Sequence, residues 1–76
     1  MNEFDILHLF TYHSPTEEKQ RQYAAIRMAA REFAAVVIDN TPASADQSVA
    51  VRCIREAVMN ANAAIALDGR IHKEPK

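Results

Sequence analysis

The sequence predicts an all-α fold: an antiparallel two-helix hairpin with a short N-terminal helix, assembled as a homo-oligomer. Three observations predict it. Tyr23, Ile26, Ala30, Phe33 and Val37 recur at alternating spacings of three and four, and Val51, Ile54, Val58, Ala61 and Ile65 repeat the pattern. Each set is the seam of a helix that packs lengthwise on another. Between them lies a short turn, Asn40 to Ala43, of the length that makes consecutive helices antiparallel neighbours. Finally, a chain of 76 residues hides only about 60% of its unfolded surface, and oligomerisation is the remedy for so marginal a core.

Asn2 is placed to cap a short helix over Glu3 to Leu9, with Asp5 in its first turn, where the helix dipole favours acid. Phe4, Ile6, Leu7, Leu9 and Phe10 are too many apolar groups for a free tail. They fold over the end of the hairpin or over a neighbouring subunit, with His8 among them as a satisfied, partly exposed side chain. The first long helix covers residues 15–39. Ser14 is its expected cap, Pro15 suits the first helical position and Glu17 completes a capping box, while Asn40-Thr41-Pro42 stops it because proline disfavours helical geometry in the residue before it. Such a helix runs about 37 Å and needs a partner of similar length. Ala24, Ala25, Ala29, Ala30, Ala34 and Ala35 let other helices approach it on more than one side. The second long helix covers 44–67, with Ser44 as cap and Gln47 completing a second capping box. Gly69 is its natural end, and residues 68–76 form a polar tail. The chain is thus expected to be a single hairpin domain.

Composition removes several function classes. A net charge of -1, with 25% charged residues, creates no global field to draw in DNA or RNA. Met1 to Phe10 has no basic lead, and Glu3 and Asp5 interrupt its apolar residues, so no signal peptide is expected. No stretch reaches the roughly 18 uninterrupted apolar residues of a membrane span. Cys53 is the only cysteine, which excludes an internal disulfide, fits a reducing compartment and reads as a buried, inert thiol. With one glycine in the chain there is no phosphate loop, His8, His13 and His72 lack paired metal spacing, and the serines have no neighbouring base. One hairpin cannot enclose a pocket of convergent titratable groups. Neither catalysis nor a cofactor or metal is expected.

Three places stand out as candidate sites. Phe10-Thr11-Tyr12-His13-Ser14-Pro15 crowds aromatic and polar side chains against a helix start. Phe10 and Tyr12 either close the hydrophobic end of the hairpin, or Tyr12 offers a flat face to a nucleobase while first-turn amides face an anion. Arg27 and Arg31, one turn apart beside the seam, are either a solvated flank or a planar pair suited to gripping phosphate. Asn60 and Asn62 are mediocre helix formers in a favourable run, either exposed amides or groups that line a pocket or bond across subunits.

The combination Phe10-x-Tyr12-His13-x-Pro15, Ile26-Arg27, Pro42-x-Ser44 and Met59-Asn60-Ala61-Asn62-Ala63-Ala64-Ile65-Ala66 resembles the phage sponges that counter the CBASS antiviral system, related to the hairpin domain of anti-Thoeris sponges. The resemblance spans Phe10 to Ala66. It implies a non-enzymatic protein that sequesters cyclic oligonucleotide second messengers in the cytoplasm of the infected bacterial host. Cyclic dinucleotides such as cGAMP are the implied ligands, with cyclic trinucleotides as a second candidate. It also implies a homohexamer of helical hairpins with dinucleotides held at subunit junctions. Tyr12 and Arg27 match the family's pocket residues, and Phe10, His13, Pro15, Arg31 and Asn62 complete the expected ligand-binding set. Leu67 stands where relatives can carry a basic residue of the trinucleotide site. The alternative is a helical interaction module that inhibits a host protein through its alanine-rich faces.

Overall fold

Side-chain caps set the starts of three helices in the computed structural model, which describes residues 1–68. α1 (Glu3–Phe10) opens on a reciprocal pair. Asn2 Oδ1 accepts from the Asp5 amide at 2.9 Å, and Asp5 Oδ2 accepts from the Asn2 amide at 3.2 Å. α2 (Glu17–Asn40) starts later than the sequence suggests. Its cap is Thr16, whose Oγ1 accepts from the Lys19 amide at 3.1 Å, while Ser14 and Pro15 belong to the irregular segment before it. Capping at Thr16 makes Glu17 and Glu18 the first helical residues, beside the free amides that favour carboxylates. α3 (Ala45–Leu67) opens on Ser44, whose Oγ accepts from the Gln47 amide at 3.2 Å. The return half of the expected capping box is replaced: Gln47 Nε2 donates to Thr41 O and Thr41 Oγ1, both at 3.1 Å. Thr41 lies past the end of α2, so its carbonyl has no helical donor and takes the Gln47 amide.

The helix ends are closed as economically. Thr41 sits at φ -130, ψ 151, the extended geometry that the following proline imposes. Asn40 Nδ2 donates to Val36 O at 2.8 Å and Thr41 Oγ1 to Val37 O at 2.7 Å. α3 turns off at Asp68, in the left-handed region at φ 55, ψ 30, with its amide donating to the Ala64 and Ile65 carbonyls. Aspartate is among the few residues other than glycine that visit that region. Gly69 as a helix end, and the tail that follows it, lie outside the described residues.

α2 and α3 run antiparallel along each other. Lys19 Nζ stands 3.2 Å from Asp68 Oδ1, which joins the start of one helix to the end of the other. The seam half-buries Val51, Ile54, Val58, Ala61 and Ile65 on α3, and Tyr23, Ile26, Ala30, Ala34 and Val37 on α2. Phe33 is the correction: it is 59% exposed, and Ala34 holds the seam in its place. Successive residues turn by 100°, so from Ala30 the seam direction is met more closely at the fourth residue than at the third. The small side chain also permits close approach. Among the described residues there is no strand, and no helix is long and apolar enough to cross a membrane.

No described residue is fully buried. α1 lies at the open end of the hairpin, yet Phe4 and Leu7 remain 73% and 67% exposed. One side of the hairpin carries an open apolar groove of about 740 Å³ bordered by Ile26, Phe33, Val37, Ile54 and Val58. Cys53 lies on the same groove and is exposed, contrary to the buried thiol expected, because a two-helix seam has no interior to hide it.

If Thr16 is the cap, Thr16→Ala lowers the unfolding free energy by about 1 kcal/mol while Ser14→Ala leaves it nearly unchanged. Thermal unfolding at fixed protein concentration measures the difference.

Candidate functional site

The expected site residues fall into two groups. Phe10, Tyr12, His13 and Pro15 lie in or next to the segment linking α1 to α2. Thr11 marks the end of α1 with extended geometry, φ -88 and ψ 139, and its hydroxyl donates to Leu7 O. From there the chain is irregular to the Thr16 cap, which leaves side chains to be placed by local hydrogen bonds. Phe10 and Tyr12 are each 81% exposed, so neither closes the end of the hairpin. That reading is corrected by the geometry, since the open end is met by histidines instead.

His13 is half-buried, with Nε2 2.7 Å from His8 O, and His8 Nε2 lies 3.1 Å from Leu67 O. A carbonyl can only accept, so both rings carry their proton on Nε2. The rings meet edge to face with centroids 4.5 Å apart. Phe4, Leu7, His8, Thr11 and His13 border a small pocket of about 210 Å³. His8 is bonded and half-buried, as expected of a satisfied, partly exposed side chain; its place on this pocket is what sequence reasoning missed. Its signal was a histidine in the last turn of a short helix, the position from which an imidazole reaches carbonyl groups at helix ends.

The second group lies on the hairpin itself. Arg27 is ten residues beyond Glu17, about 15 Å along α2, and Arg31 is one turn further. Both are exposed, and neither makes an ion pair among the described residues. Glu18 pairs with Arg21 instead, and Lys19 with Asp68. Asn62 is on α3. It lies six residues in from Asp68, as Ala25 lies six in from Lys19, and equal rise per residue brings Asn62 level with Ala25, within a turn of Arg27. Asn62 is half-buried, and its Oδ1 is enclosed without a hydrogen-bond partner among the described residues. Leaving such an acceptor unmatched costs about 1 to 3 kcal/mol. Asn60 differs: it is exposed, and its Nδ2 donates to Glu56 O at 2.9 Å.

One copy therefore spreads the set over two places. The aromatic residues stand at the open end, the guanidinium groups along the flank of α2, and no hydrogen bond joins them among the described residues. Nor do three His, Cys, Asp or Glu side chains gather there where they could hold a metal ion. The groups on offer are flat aromatic faces, unpaired guanidinium forks and amides, which suit stacking and anion recognition.

No curated protein and no solved structure matches the chain. A family model does: the Acb2/Tad1 hairpin domain matches residues 1–66, which takes in α1, the aromatic segment, α2 and nearly all of α3. The chain belongs to the Acb2/Tad1 hairpin domain family, the family of phage anti-CBASS and anti-Thoeris sponge proteins.

Proposed function

We propose that this protein sequesters cyclic dinucleotides such as 3′,3′-cGAMP at junctions between copies of itself, without cleaving them, and so blocks CBASS immunity in the cytoplasm of the infected host. The observation that carries the reading is the family match over residues 1–66, since the family implies a cyclic-oligonucleotide sponge in general. The working assembly is a homohexamer. Exposed apolar residues on α1 and on the hairpin groove favour assembly, because patches of this kind on a small chain mark interaction sites.

A cyclic dinucleotide is a dianion with two bases, and its capture needs stacking surfaces and phosphate donors together. Tyr12 supplies a ring that is 81% exposed among the described residues, and Arg27 supplies a fork that makes two parallel bonds to a phosphate. Arg31 adds charge one turn away. Since the open end and the α2 flank lie apart in one copy, the pocket is completed by Tyr12 of one copy approaching Arg27 of another. Asn62, level with Arg27, brings an amide to the same height, and Phe10, His13 and Pro15 shape the aromatic segment. A sponge works by slow release, which a rigid preformed junction provides by reducing the ordering cost of binding. Cyclic trinucleotides are the second candidate ligand, with Leu67 a departure from the family's basic residue at that site.

Tyr12→Ala weakens capture of 3′,3′-cGAMP by about 5- to 150-fold, the worth of one base stacked on an aromatic ring. Arg27→Ala weakens it by about tenfold or more, the worth of a charge-assisted hydrogen bond. Calorimetric titration reads both, with assembly size unchanged in either variant. A second experiment loads the wild-type protein with 3′,3′-cGAMP, heats it and analyses the released material by chromatography. Intact nucleotide is the expected result; a cleaved product would make the protein an enzyme. No uptake at all would reject this ligand and favour the protein-partner reading.

A further inference from the structure

The segment that carries Tyr12 has few anchors, and they are unusual in kind. Among the described residues, His8 makes the one hydrogen bond between α1 and the hairpin, donating from Nε2 to Leu67 O. His13 then donates from Nε2 to His8 O. Both acceptors belong to the last turn of a helix, where carbonyl groups lack helical donors. At α3, the Asp68 amide takes the Ala64 and Ile65 carbonyls and His8 takes the Leu67 carbonyl. At α1, Thr11 Oγ1 takes the Leu7 carbonyl and His13 the His8 carbonyl. The two imidazoles therefore form a chain from the end of α3, through the backbone of α1, to the residue next to Tyr12.

We propose that His8 and His13 are positioning residues for ligand capture: as Nε2–H tautomers they hang the Tyr12 segment from the end of α3 and so set where the Tyr12 ring stands. The proposal rests on the reading of Tyr12 as a ligand-stacking residue. His13 in this role acts through Tyr12, because its one ring donor is engaged by His8 O. The two rings meet edge to face, 4.5 Å between centroids, so each is packed against the other where the two anchors adjoin. The irregular stretch of backbone is thereby held in place before the ligand arrives, which lowers the entropy lost on binding.

Chemistry supplies a discriminating substitution. A glutamine amide nitrogen reaches about as far from the backbone as imidazole Nε2, while an asparagine amide nitrogen reaches only as far as Nδ1. His8→Gln and His13→Gln are expected to retain affinity for 3′,3′-cGAMP within about twofold, and His8→Asn and His13→Asn to lose about tenfold, the worth of one hydrogen bond with its ordering. Amide exchange over residues 3–13 follows the same order, slow in wild type and the glutamine variants and faster in the asparagine variants. Ring ¹⁵N spectra of the free wild-type protein in mildly alkaline buffer show the Nε2–H tautomer for both histidines. A dominant Nδ1–H tautomer in either ring overturns the proposal, as do glutamine and asparagine variants with equal exchange. Failure of the wild-type protein to take up the nucleotide would overturn the Tyr12 reading and with it the positioning role, whereas a wrong tautomer or equal exchange would overturn the histidine chain itself, so the two failures are told apart.

Discussion

Two helices laid side by side can shield only the stripe along which they touch, and in this chain that stripe consists of half-buried residues with none fully enclosed. Everything else follows from this limit. An apolar side chain fully removed from water contributes about 1.5 to 3 kcal/mol, and a seam of alanine, valine and isoleucine sealed on one side delivers only part of that. The rest of the apolar surface stays available: Phe4 and Leu7 on α1, Phe33 along the groove, Met28 and Met59 elsewhere on the hairpin. Polar interactions do not make up the difference. The Lys19–Asp68 pair that closes the open end is of the exposed kind worth about 0 to 1 kcal/mol, and the helix caps contribute about 1 kcal/mol each.

The same limit explains where chemistry can be placed. With no fully buried residue, the described residues of a single copy offer open edges for polar chemistry. The aromatic segment is one edge, held by histidines at helix ends, and the flank of α2 with Arg27 and Arg31 is another. The proposed dianionic ligand requires both kinds of group at once, which is why the proposed site draws on more than one copy. A helix carries the charged groups, and the hydrogen bonds of His8 and His13 to helix-end carbonyls anchor the segment that carries the aromatic ones.

Much of the helical frame was legible in the sequence because it is local. Both stripes, the Pro42 stop and the Ser44 cap depend on residues within a turn or two of each other. The errors are local as well. Ser14 and Thr16 are both competent caps, and what decides between them is the pair of glutamates that a Thr16 cap places in the first turn. Phe33 fits an alternating three-four pattern by eye, yet the drift of a straight helix against that repeat moves the seam to Ala34. Cys53 was misread because burial statistics assume an interior, which two helices do not possess. For the candidate site residues the sequence supplies type and segment, and the fold adds where they stand: Tyr12 exposed at the open end, Arg27 and Arg31 exposed along α2, Asn62 half-buried on α3. The bond from His8 to Leu67 spans most of the chain and leaves no periodic trace; the sequence marks only the place of His8 in a last turn, and the folded geometry supplies the acceptor.

The account rests on the claim that one copy cannot sustain this fold and that neighbouring copies cover its exposed apolar faces. Sedimentation equilibrium of the purified protein over a wide dilution range tests that claim most directly. A mass that is a multiple of 8.5 kDa, six copies in the working assembly, with helicity lost as dilution separates the copies, is the predicted result. A monomer of 8.5 kDa that keeps full helicity at every concentration would contradict it.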